Sequence, residues 1–270
     1  MSPIAFTIGS WPVYWYGILI SIAFVLGVFL SQHFAKKRGY DLDQLWTIFL
    51  VLIPCAVIGA RLYYVFFNWD MYSADPIKIL QTWQGGLAIH GGVLGGFLAV
   101  FIPCRIYKID AFGILDCIAP SLALGQAIGR WGNFFNGEAY GSVTNLPWGI
   151  HVPDDVYLHH PTFLYESIWD LLLFFLLLKL FPKMKRTGNV TCIYFIVYSF
   201  GRFFIEGLRT DSLMIGPLRQ AQVLSLCLFV IASFLLWYRN RKSPAVEPDM
   251  RKETSAGSKK KNRNKKKRKK

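Results

Sequence analysis

Charge is thin through most of this sequence. Outside residues 239–270, the other 238 residues carry only 15 Lys+Arg and 13 Asp+Glu, well below the roughly one quarter charged that is usual for a water-soluble domain. Cysteine is sparse too: Cys55, Cys104, Cys117, Cys192 and Cys227 stand singly inside apolar runs, with no CxxC spacing. That pattern speaks against a disulfide framework, a thiolate metal site or a catalytic thiol, and the five read as apolar filler. No carboxylate cluster suggests a metal, so neither metal nor cofactor is expected. No internal repeat suggests paired transporter halves. No Lys or Arg precedes the first apolar run, which is itself long enough to span, so no cleaved leader is expected.

What the chain has instead is apolar length. It is 53% hydrophobic and 16% aromatic, and the apolar residues come in blocks of about 20, enough for a helix to cross a bilayer. Continuous runs of this kind exclude an outer-membrane barrel, whose strands alternate over about ten residues. The expected fold is an all-α polytopic membrane protein with seven transmembrane helices, near 13–35, 45–67, 86–107, 112–131, 161–181, 189–208 and 219–238. Of the 30 Lys+Arg, 24 lie after the first, third, fifth and seventh segments, all on one side if the segments alternate. The N-terminus is then outside and the C-terminus cytoplasmic. Residues 1–238 form the membrane domain, in which 132–160, with Pro147 and Pro153, build a small extracytoplasmic head. The outer stretch from Asp75 predicts a short interfacial helix capped by that residue, with Pro76 in the first turn and Trp83 as anchor. Residues 239–270 form a disordered polybasic cytoplasmic tail that attracts anionic lipid; it lacks the interleaved aromatics or the fold that a nucleic-acid partner would need.

The remaining basic residues are Arg61, Lys78, Arg130, Arg202, Arg209 and Arg219. With alternating segments, Tyr16, Arg61, His90, Arg130, Tyr165, Glu166, Arg202, Glu206 and Gln222 all fall in the outer half of the membrane, which predicts one polar chamber open to the outer leaflet. Residues 125–141, GQAIGRWGNFFNGEAYG, place Arg130, Asn133, Asn136, Glu138 and five glycines at the end of an apolar run. Arg130 could snorkel to the surface, but with those neighbours it reads as an anion ligand. In GRFFIEGLR, Arg202, Glu206 and Arg209 share one helix face. An intrahelical ion pair accounts for the pairing but not for its keeping at membrane depth, so Arg202 is read as an anion ligand and Glu206 as its orienting partner. Arg61 is equally explained by snorkelling. His90, among glycines, fits either close helix packing or a general base. Tyr16 and Gln222 are weaker candidates, and Asp170 has no partner legible in the sequence.

Together these stretches resemble the bacterial prolipoprotein diacylglyceryl transferase family: WYG at 15–17, GGLAIHGG at 85–92, GRWGNFFNGEAYG at 129–141, HPTFLYE at 160–166 and GRFFIEGLR at 201–209. The lysine-rich tail lies outside the resemblance. It implies a seven-helix enzyme of the bacterial cytoplasmic (inner) membrane with its active site facing the outer leaflet. Such an enzyme moves the diacylglyceryl group of phosphatidylglycerol to the lipobox cysteine of a preprolipoprotein, forming a thioether and releasing glycerol phosphate. It implies phosphate-handling roles for Arg130 and Arg202, a proposed base in His90, and further functional positions at Tyr16, Asn133, Glu138, Gly141, Glu206 and Arg209. Arg61 and Gln222, from their depth, and Asn136, from its closeness to Arg130, are added as substrate-binding candidates. Two other classes remain to be weighed: a lipid or anion transporter using the same arginines, though its site belongs near the midplane, and a CDP-alcohol enzyme, which needs an aspartate cluster absent here.

Overall fold

The structure is a computed structural model that describes residues 2–73, 75–82, 85–152, 155–210 and 214–242. Each expected apolar segment overlaps a long helix. These are α1 (Trp15–Lys37), α2 (Leu42–Phe67), α4 (Ile89–Tyr107), α5 (Ala111–Asn136), α6 (Thr162–Leu180), α7 (Asn189–Glu206) and α8 (Gln220–Lys242), with α3 (Trp69–Ser73) a short addition after α2. Five of them, α1, α2, α4, α5 and α8, are long and apolar enough to cross a membrane. In α6 and α7 the apolar run is interrupted by Glu166 and Asp170 and by Arg202 and Glu206. Among the described residues there are also three two-stranded hairpins: β1 (Ile4–Ile8) with β2 (Trp11–Tyr14), β3 (Ile150–His151) with β4 (Leu158–His159), and β5 (Met214–Ile215) with β6 (Leu218–Arg219).

Helix α5 is the centre. It packs against α1, α6 and α7, while α2 pairs with α4 and α8 with α7. Small residues permit these approaches. A Cβ on Gly91 of α4 would stand 2.1 Å from the Gly59 carbonyl oxygen of α2, so the glycines beside His90 are where two backbones touch. The α5–α6 register is set by Ser167, whose hydroxyl donates to the Ala127 carbonyl at 2.8 Å and accepts from Trp131 Nε1 at 3.2 Å. Between α6 and α7, Trp169 lies over Gly201 and donates to the Val197 carbonyl at 3.0 Å.

Several boundaries differ from expectation. Helix α5 runs five residues past 131, because Gly137 in the left-handed region (φ 69°) closes it and Glu138 N–H returns to the Asn133 carbonyl at 3.1 Å. The expected interfacial helix is only a 3-10 turn, Pro76–Leu80, and Asp75 does not cap it, standing instead 3.7 Å from Lys78. Trp83 and Pro153 lie outside the described residues. Helix α8 continues past the expected start of the tail: Arg239 donates to the Thr187 carbonyl at 2.8 Å and lies over Phe112. Residues 243–270, most of the expected tail, are outside the described residues.

Candidate active site

The registers just described bring the ends of three helices together. Arg130 comes near the end of α5, Glu166 in the second turn of α6, and Arg202 and Glu206 near the end of α7. Arg130 Nη2 stands 2.5 Å from Glu166 Oε2. Arg202 donates to Glu166 Oε1 with one nitrogen and pairs with Glu206 Oε2 at 2.7 Å with the other. Arg209, just beyond α7, lies 3.9 Å from both Glu166 Oε1 and Glu206 Oε2. Both glutamates are buried and the three arginines nearly so. These are close ion pairs at a depth where one missing partner would leave a costly buried charge.

Glu166 is the common member, contacting arginines from both neighbouring helices, and sequence reasoning gave it a depth but no role. The available signal was an acid inside an apolar run. Asp170, one turn further along α6, is 2% exposed, and its Oδ2 accepts no hydrogen bond among the described residues. With Glu166, Trp169, Tyr198, Arg202 and Ile205 it lines a crevice too tight for a water molecule.

The other candidates fall around this cluster or away from it. The Tyr16 ring on α1 fills the space beside Gly132, where a Cβ would come within 2.4 Å of it, and it stands within electrostatic range of Arg130. Asn133 and Asn136 both donate to Glu138 Oε1, at 3.0 and 3.1 Å, which joins these three into the turn leaving α5. Gly141 receives the chain as it crosses to α6 and α7. Its N–H donates to the His160 carbonyl at 2.9 Å, it bridges to Arg209, and a Cβ there would meet His160 at 2.7 Å. His159 secures the same crossing, with Nδ1 2.8 Å from the Gly141 carbonyl and Nε2 2.9 Å from Asp155. The Tyr157 N–H, and then His159, hold the Asp155 carboxyl below its usual range.

Three candidates are not brought into the Glu166 cluster. Arg61 is buried rather than snorkelling, and its guanidinium donates to the backbone carbonyls of Lys78, Ile79, Gln81, Gly85 and Gly86. It clamps the segment between α2 and α4. Gln222 accepts from Arg219 N–H at 3.0 Å and donates to the Phe203 carbonyl at 3.1 Å, stitching α8 to α7. His90 is exposed at the first turn of α4, its ring 5.8 Å from that of Tyr63. Nor are buried acids confined to one end: Asp116, near the start of α5, is wholly buried at the end opposite Arg130.

Residues 3–238 match the family described as prolipoprotein diacylglyceryl transferase. The chain belongs to this family. The transferase is 46% identical over 243 residues to the phosphatidylglycerol--prolipoprotein diacylglyceryl transferase of Thermosynechococcus vestitus, covering 85% of this chain and 91% of that one. It is 46% identical over 264 residues to the protein of the same name from Nostoc sp., covering 91% and 93%. The Clostridium kluyveri protein of that name is 45% identical over 252 residues, covering 89% and 98%. In this transferase the matched region takes in α5, α6, α7 and the loop after α7, which carry Glu166 and its arginine partners, and it leaves out the lysine-rich tail.

Proposed function

We propose that this transferase moves the diacylglyceryl group of phosphatidylglycerol to the lipobox cysteine thiol of a preprolipoprotein, releasing glycerol phosphate. The observation that carries the reading is the pair of arginines, Arg130 and Arg202, brought from two helices onto one carboxylate. Guanidinium forks hold phosphate oxygens as they hold carboxylates. Leaving Asp170 aside, the cluster's three arginines exceed its two glutamates by one positive charge, the charge that a phosphodiester carries with opposite sign. As the glyceryl C–O bond breaks, the phosphate becomes a monoester of about −1.5 to −2 near neutral pH. Arginines already in place stabilise that growing charge without reorganising, which lowers the barrier. The same positive field favours the thiolate over a thiol whose ordinary pKa is about 8.5.

Seven spans follow from this reading, with α6 and α7 tolerated in the membrane because Glu166, Arg202 and Glu206 are paired inside the bundle. The basic groups after α1, α4, α6 and α8 put the C-terminus in the cytoplasm of a bacterial inner membrane. The Arg130 end then faces the outer leaflet, beneath the small head of 132–160, whose first residues finish α5. Arg130 and Arg202 hold the phosphate, with Arg209 completing the positive wall, while Glu206 aims Arg202. Tyr16 lines the side toward α1, and Asn133, Asn136, Glu138 and Gly141 shape the entrance. Mass spectrometry of a lipobox peptide incubated with purified protein and phosphatidylglycerol tests the function. The expected result is the diacylglyceryl mass increment on cysteine, and its absence, with the protein folded, overturns the reading.

A further inference from the structure

Glu166 stands where the proposed donor phosphate has to go. Its two carboxylate oxygens meet Arg130 and Arg202, with Arg209 3.9 Å away, and a phosphodiester offers the same pair of acceptor oxygens to the same two forks. On the side toward Asp170 no second anion fits beside it, because the crevice between Glu166, Asp170, Tyr198 and Arg202 does not admit even a water. The phosphate therefore replaces the carboxylate on the arginines. Glu206 does not stand in the same position, since it holds Arg202 from its own helix, four residues away, and keeps that side chain aimed when Glu166 gives way. Once off the arginines, the Glu166 carboxylate, with 5% of its side chain exposed, has both oxygens free to accept a hydrogen bond from the acceptor thiol.

We infer that Glu166 occupies the phosphate seat of the resting enzyme, is displaced from Arg130 and Arg202 by the donor phosphodiester, and then takes the proton of the acceptor thiol. This rests on the transferase reading above. The S–H bond breaks as its proton passes to a Glu166 oxygen. The sulfur electron pair forms the C–S bond to the glyceryl carbon, and the C–O pair leaves with the phosphate held by Arg130 and Arg202. The proton then passes from Glu166 to the departing glycerol phosphate, and the recharged carboxylate recaptures the arginines and expels the product. Thiol and phosphatidylglycerol thus give thioether and glycerol phosphate with no other reactant. Base activation is coupled to donor binding, so the buried base is unmasked only when there is a group to attack.

The test is Glu166→Gln, which keeps shape but removes both the competing charge and the base. Glycerol phosphate binding to purified protein is measured by calorimetry, and kcat and KM for phosphatidylglycerol by thioether formation on a lipobox peptide. The variant is expected to bind glycerol phosphate about tenfold more tightly. Its kcat should fall about a hundredfold while KM for the donor falls too. Weaker glycerol phosphate binding, or an undiminished kcat, overturns the inference. Should the Gln variant not fold, Glu166→Asp decides. Its shorter reach loosens the seat but keeps the base, so tighter glycerol phosphate binding with kcat within about tenfold of the parent is expected, and weaker binding overturns it. Parent enzyme that forms no thioether sinks the transferase reading itself, whatever Glu166 variants do.

Discussion

Asp116 and Glu166 are both carboxylates buried in this helix bundle, at opposite ends, and they are held by different kinds of partner. Asp116 accepts from Gly188 N–H, Thr191 N–H and Thr191 Oγ1, each at 2.8 Å, and from Arg38 at 2.9 Å. Three of its four donors are fixed by the start of α7, and the one arginine has a second bond, to the Met184 carbonyl. Around Glu166 the partners are arginine side chains from α5, α7 and the loop after α7, and Asp170 sits below with an oxygen that accepts nothing among the described residues. A carboxylate held in part by backbone N–H groups is a structural pin, since nothing can replace it without unmaking the backbone turn. A carboxylate held by long, charged side chains is exchangeable, because another anion offers those side chains the same bonds.

That contrast sets up crossed outcomes. The largest effect is expected for Arg130→Ala or Arg202→Ala: thioether formation falls about a thousandfold or more, with the folded helical protein recovered in detergent, as read by mass spectrometry and circular dichroism. Near-normal turnover in both would break the distinction. At the other end, Asp116→Ala strands Arg38 and three donors and should cost about 3–5 kcal/mol of stability, read as a lower melting temperature, while protein that does fold keeps kcat within a few-fold. Lysine at Arg130 probes the fork itself: charge survives but two-pronged binding does not, and KM for phosphatidylglycerol should rise about tenfold. Gln222→Ala, losing two hydrogen bonds between α7 and α8, should cost about 1–2 kcal/mol with little change in kcat. The smallest effect concerns the head. Because the Asp155 carboxyl is held below its usual value by Tyr157 N–H and His159, its contribution is present above its unfolded pKa of about 3.9 and is lost as pH falls through the lower folded value. Asp155→Asn should lower the melting temperature slightly at neutral pH, where that contribution is present, and flatten the acid limb of the profile below about pH 4.

The positions of the long helices were legible because apolar run length is a local property, and each run between 13 and 238 became one. The end of α5 was not, because a run of polar residues after Arg130 looks like a loop until Gly137 and the Asn133–Glu138 bond show that the helix carries on. Arg130, Arg202, Glu206 and Arg209 were found as charges where charge is expensive. The same argument applied to Asp116 and Glu166, but an acid inside an apolar run announces only that it needs a partner. Arg61 was open between snorkelling and a site role for a related reason: its surroundings are not legible until the segment between α2 and α4 folds back to present its carbonyls.

By itself, then, the sequence determined a helical chain with basic groups on alternating connections and a small set of charges that a bilayer would penalise. Only the tertiary structure decided which charge meets which. Any arginine attracts any carboxylate, and the choice is made by helix register. Ser167 on Ala127 and Trp169 on Gly201, neither of them charged, place Glu166 between Arg130 and Arg202. Such contacts join residues far apart in the chain and depend on the shapes of both surfaces, so no local pattern encodes them.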